Sequence, residues 1–154
     1  QALPRVEKRV APFTLTREAL PRALREMRLR QALLASTGAT HAAAWAHADG
    51  NIVLLREDVG RHNALDKLIG AMANVREDVD RGFLIVTSRA SYEMVQKSAT
   101  VGITLVAAIS APTALAIHLA DETRVTLIGF ARAEGHVVYA QPQRIVGVAA
   151  EESA

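Results

Sequence analysis

The chain has 154 residues, half of them hydrophobic and 4% aromatic, which suits one domain built round a single sizeable core. Charged residues make up 22% and are near balance, 18 basic against 16 acidic, with no basic block of the nucleic-acid-binding kind. The absence of cysteine removes disulfides, thiolate zinc sites and thiol nucleophiles from this chain's own chemistry, and every apolar run stops well short of the ~18 residues of a membrane span.

Residues 1–13 carry two prolines and no clear period, and read as a lead-in segment. No charged-then-apolar signal peptide opens the chain; its first residue is Gln, so an upstream part is expected to have been removed or left out. Pro21 suits the first turn of a helix, along which Leu20, Leu24, Met27, Gln31 and Leu34 recur at helical spacing until Gly38 ends it. The segments 42-AAAWAHA-48 and 51-NIVLL-55 flank 49-DG-50, a two-residue hairpin signal. The polar stretch 56-REDVGRHNALDK-67 follows and leads into a helix over roughly 62–74, after which 75-VREDVDRG-82 reads as a solvated turn. Strands are then expected at 83-FLIVT-87, 103-ITLVAA-108, 125-VTLIGF-130 and 136-HVVYA-140. Helices fall between them, at 91-SYEMVQKSAT-100 with Ser91 as N-cap and at 112-PTALAIHLAD-121 with proline at its start. Residues 149–154 read as a frayed tail, leaving a domain over 14–148.

A hairpin followed by strand–helix alternation implies an α/β domain with a mixed sheet, antiparallel at one edge and parallel beyond, helices on both faces giving three layers, α/β/α. Ligands of such sheets bind beyond the carboxyl ends of the strands, where helix N-termini gather. That rule selects 57-EDVGRHN-63, 87-TSRAS-91 and 109-ISAPT-113, three strand-to-helix joints with polar groups.

Each candidate has a plain structural reading beside the functional one. Arg61, His62, Asn63, Asp66 and Lys67 form the exposed first turns of a helix, or a site in which Gly60 lets backbone approach a ligand. His62 has no second ligand at i+3 or i+4, so a metal is not expected. Ser88, Arg89 and Ser91 are a cap plus a surface arginine, or an anion site at a helix N-terminus. His41 reads as a hydrogen-bonding residue at a strand start. Arg132 and Glu134, in 130-FARAEGH-136, sit in a β-turn with Gly135 or in a loop wrapping a ligand, and nothing local decides. Walker, GxGxxG and GxSxG motifs are absent.

The runs 57-EDVGRHNALDKLIGA-71, 88-SRASYEMVQKSATVGI-103, 110-SAPTALAIHLA-120 and 125-VTLIGFAR-132 together resemble the formate dehydrogenase accessory sulfurtransferase family, FdhD/NarQ. The runs 37-TGATHAAA-44 and 139-YAQPQRI-145 are also similar, so the resemblance covers roughly residues 13–146. It implies a cytidine deaminase-like fold and a cytoplasmic protein that passes sulfur from a cysteine desulfurase to the molybdenum bis(molybdopterin guanine dinucleotide) cofactor, for use by formate dehydrogenase. It implies a cofactor-binding segment at Phe130, Ala131, Arg132, Ala133, Glu134 and Gly135, to which the residues themselves add Arg61, His62, Asn63, Lys67, Ser88 and Arg89 as candidate phosphate and guanine contacts. GDP is then a mimic of the cofactor, and neither nucleic acid nor membrane is an expected partner. Near the position of His62 a deaminase carries a zinc-ligand histidine, but 88-SRAS-91 stands where its PCxxC would, which disfavours zinc deamination.

In the family, sulfur travels as a persulfide on a CxxC loop ahead of an FTL-like segment, found here at 13–15. The chain is cysteine-free and begins just before that segment, so a truncation is expected rather than a divergent member, and no catalytic residue is assigned. A cofactor-holding chaperone domain and a deaminase-like hydrolase are the rival readings. The apolar residues Leu115, Ile117 and Leu119 round one helix, with the resemblance, imply a homodimer.

Overall fold

The computed structural model describes residues 14–33 and 41–145. The lead-in at 1–13, the helix stop at Gly38 and the tail at 149–154 lie outside them. Four helices and six strands appear in the expected order: α1 (Ala19–Leu33), β1 (His41–His47), β2 (Ile52–Asp58), α2 (Arg61–Asn74), β3 (Gly82–Val86), α3 (Tyr92–Thr100), β4 (Leu105–Ala108), α4 (Ala114–Thr123), β5 (Thr126–Arg132) and β6 (Gly135–Ala140). The charged run after α2 is a turn closed by one short 3-10 segment, Val79–Arg81, in which the Asp78 side chain accepts the Asp80 N–H.

The sheet order is β2-β1-β3-β4-β5-β6. β3, β4 and β5 are mutually parallel, and β1–β2, β1–β3 and β5–β6 pair antiparallel. The expectation of a single antiparallel edge is therefore corrected. The last two strands form a tight hairpin, and a short connection can only return the chain antiparallel to itself.

Alternation along β1 explains the layers. Ala43 and Trp45 face a core shared with α2, α3 and α4, while Ala42, Ala44 and Ala46 face a second core under α1. The same core holds Ala19 and Ala23 of α1, so small residues stand on both the sheet and the helix side of it. The result is the expected three-layer α/β/α arrangement. Trp45, fully buried, donates its indole N–H to Glu77 at 3.2 Å, so its one polar atom is satisfied.

The hairpin between β1 and β2 forms where 49-DG-50 predicts it, through a three-residue loop rather than a two-residue one. The Gly50 N–H donates to the His47 carbonyl and the His47 N–H to the Asn51 carbonyl, with Gly50 at φ +90°. A Cβ on Gly50 would stand 2.3 Å from the Ala19 carbonyl oxygen, so the loop tip fits under the start of α1 only as glycine. On α4, Leu119 is buried and Ile117 is partly buried against the core, which leaves Leu115, 66% exposed, as the apolar residue turned outward. Among the described residues no helix is long and apolar enough to cross a membrane.

Candidate functional site

Register places the candidate segments at one end of the sheet. His41 pairs with Asp58, Ala43 with Val86, Val86 with Ala108, and Arg132 with Gly135, so β2, β3, β4 and β5 all end on the same side. The three joints expected to share an edge do share it, together with 130-FARAEG-135. They form a row rather than a point. With strands about 4.8 Å apart, the ends of β2 and β5 are separated by four spacings, or roughly 19 Å. A single diphosphate cannot touch both ends, whereas a dinucleotide-sized ligand can span them.

At the β2 end, strand pairing continues three residues further than 51-NIVLL-55 suggests, so Arg56, Glu57 and Asp58 belong to β2. Gly60 precedes α2 in an extended conformation, and the helix has no side-chain cap. Asp58 fixes the approach to the helix instead, accepting the Gly60 N–H at 2.9 Å and Lys67 Nζ at 2.7 Å. Lys67 also donates to the Glu57 carbonyl at 3.1 Å, and Asn63 Nδ2 lies 3.5 Å from Asp58. The Lys67 ammonium and then the Gly60 N–H hold the Asp58 carboxyl well below its ordinary range, at about 2. Asp66 is bound by Lys97 of α3 at 2.8 Å. Asn63 and Lys67 thus serve the start of α2 itself, while Arg61 and His62 stand outside this network. Among the described residues the buried Arg61 Nε has no hydrogen-bond partner, a donor whose burial costs stability unless a ligand or water meets it.

At the β3 end, Thr87 closes the sheet by accepting the Ala42 N–H at 2.9 Å. Ser88 is buried, its hydroxyl near the Arg89 carbonyl and the Met94 sulfur, while Arg89 is exposed. Ser91 caps Met94 as expected. Thr113 caps Ala116, so α4 begins at Ala114 and Pro112, expected at the start of the helix, lies just ahead of it. The capping reading and the exposed Arg89 coexist here.

At the β5 end the β-turn alternative holds, and the connection is a two-residue turn rather than a loop able to wrap a ligand. Arg132 pairs with Gly135 across residues 133 and 134, too short a connection to fold over anything. The unusual geometry lies one step earlier. The pairing shifts between Gly129 and Arg132, and Phe130 adopts φ +50°, a left-handed conformation that costs a non-glycine residue about 1–3 kcal/mol. It leaves the Phe130 ring 41% exposed, with the Arg132 guanidinium 6.0 Å from its centroid. Gly129 makes room for this: a Cβ there would lie 2.6 Å from both Pro112 Cδ and Tyr139 Cε2. Arg132 Nη1 reaches the Ile109 carbonyl at 3.4 Å.

Sequence reasoning missed a second wall. Leu24, Arg28 and Gln31 of α1 face Ile109, Ala131 and Arg132 across a cleft of about 210 Å³. The available signal was Gln31, a polar residue on an otherwise apolar helical stripe. Among the described residues no group of three or more His, Asp or Glu is disposed to hold a metal ion.

The sequence profile of the FdhD/NarQ family matches residues 1–146. A sulfur carrier protein FdhD of Xanthomonas euvesicatoria pv. vesicatoria is 62% identical over 138 residues, 89% of this chain and 49% of that protein. Another, from Cupriavidus necator, is 62% identical over 120 residues, 78% of this chain and 42% of that protein. The chain thus spans about half the length of the curated relatives it matches. A crystal structure described as that of a formate dehydrogenase accessory protein from Desulfotalea psychrophila superposes with a TM-score of 0.79 at 28% identity, over 92% of this chain and 61% of that one. With nearly its whole length inside the matched region and close relatives throughout, the chain belongs to the FdhD/NarQ family.

Proposed function

We propose that this chain is the cofactor-holding part of a sulfur-carrier accessory protein for formate dehydrogenase. Its cargo is the molybdenum bis(molybdopterin guanine dinucleotide) cofactor, sulfur is drawn from a cysteine desulfurase, and the setting is cytoplasmic. The chain has no cysteine and so carries no persulfide of its own; its share of the task is to bind and orient the cargo. The molybdenum centre supplies the redox chemistry of the dehydrogenase that receives it.

The observation that carries this reading is the β5 end of the row. A strained backbone holds the Phe130 ring in solvent beside the Arg132 guanidinium, a flat apolar face next to a fork of donors. Such a pair suits a nucleobase joined to a phosphate. Arg61, at the β2 end of the same edge, suits a second anionic group at dinucleotide distance, with Arg89 at the β3 joint between. The chain's donors therefore fit a long, doubly anionic guanine ligand, with backbone and Asn groups available to its base.

Calorimetry with GDP tests it. GDP binds, ADP binds more weakly, and Arg89→Ala and Arg132→Ala each lose about tenfold or more, since a hydrogen bond to a charged group contributes ~1.5–3 kcal/mol. Equal affinity for GDP and ADP, untouched by both substitutions, would return these residues to a solvated surface.

A further inference from the structure

We propose that the cleft between α1 and the carboxyl ends of β4 and β5 is an anion subsite in which Arg28 and Arg132 grip one phosphate or diphosphate group. The inference rests on reading this edge as a nucleotide site and adds to it a wall from α1, on the face opposite to α2, α3 and α4.

Charge is the first argument. Among the described residues two that bear guanidinium groups line the cleft and no carboxylate does. On the same helix Arg22 has Asp49 at 3.7 Å and Arg30 has Glu26 at 3.0 Å, whereas Arg28 has no carboxylate partner among the described residues. Among the described residues the Arg132 guanidinium meets the Ile109 carbonyl, at a long 3.4 Å, and the Phe130 ring. Two like charges facing one space repel, and an anion between them turns that repulsion into two charge-assisted contacts.

Environment and size are the second. Leu24 and Ala131, 4% and 2% exposed, make an apolar floor that lowers the local dielectric and strengthens those contacts. The Gln31 amide adds a neutral donor at the rim. A volume of about 210 Å³ falls below the roughly 300–1,000 Å³ of pockets that enclose whole ligands, so the cleft suits a phosphate group and leaves the base outside. Phe130 stands in solvent beside Arg132 to receive that base.

Titration with inorganic pyrophosphate decides the matter. Pyrophosphate binds the unaltered chain, Arg28→Ala and Arg132→Ala each weaken it about tenfold, and Arg25→Ala, an exposed arginine of α1 outside the cleft, leaves it unchanged. Circular dichroism of each variant confirms the fold. No pyrophosphate binding, or equal effects of Arg25→Ala and Arg28→Ala, overturns the subsite. GDP binding that needs Arg132 but not Arg28 also overturns it, while sparing the nucleotide reading. Arg28-dependent pyrophosphate binding with GDP no tighter than ADP upholds the subsite and removes the guanine reading instead.

Discussion

Replacing Gly129 with alanine adds one methyl group where β5 passes between Pro112 and Tyr139. The new Cβ would stand 2.6 Å from Pro112 Cδ, 2.6 Å from Tyr139 Cε2 and 3.2 Å from its Cδ2. Carbon atoms are comfortable at about 3.5–4.0 Å, so roughly 1 Å must be found on each side. Tyr139, on the edge strand β6, can tilt outward. Pro112 is a rigid ring fixed just ahead of α4, so the 109–113 segment or β5 has to move. Overpacking of this kind costs about 1–3 kcal/mol. The backbone of Gly129 is not in the positive-φ region, so alanine can adopt it, and the reduced freedom of the unfolded chain returns about 0.5–1 kcal/mol. The net loss is about 1–2 kcal/mol, a drop of roughly 2–8 °C in Tm for a chain of this size. Urea unfolding measures it as a lower midpoint at unchanged slope. Gly70→Ala is the matched comparison, because Gly70 is exposed in α2 with nothing within 4 Å of an added Cβ, and it should gain about 1 kcal/mol. A Gly129→Ala midpoint at or above that of the unaltered chain would refute the steric argument.

Asp58→Asn should lower the urea midpoint near neutral pH. Because Asp58 is held at about 2 against an ordinary 3.8, its contribution is complete at higher pH and fades as pH falls from about 4 to about 2, so the two proteins should converge there; a gap that stays constant across that range would mean Lys67 does not couple to folding. We also propose the homodimer that the sequence suggests, with Leu115 as the outward apolar residue of α4; sedimentation velocity at micromolar concentration should show a dimer that Leu115→Asp dissociates, and a monomer throughout would count against it.

Local chemistry carried much of this protein in legible form. Ser91 caps the helix it precedes and Gly50 turns the first hairpin, because each depends on neighbours within a few residues. The shared sheet edge of the three joints was also legible, since short strand–helix connections leave few topologies. Features set by partners distant in sequence were not. β2 runs on to Asp58 because His41 and its neighbours pair with it, and Lys67 is taken up by an acid nine residues earlier only once α2 turns back over β2. The strand order separates the ends of β2 and β5 by roughly 19 Å, a distance no motif records. The left-handed Phe130 follows Gly129, which lies between Pro112 and Tyr139, two residues far from each other in the chain. The cleft with Arg28 arises only when α1 and β5, about a hundred residues apart in the chain, close on one another; sequence spacing fixes which residues share a helix face, and tertiary packing alone decides what that face meets.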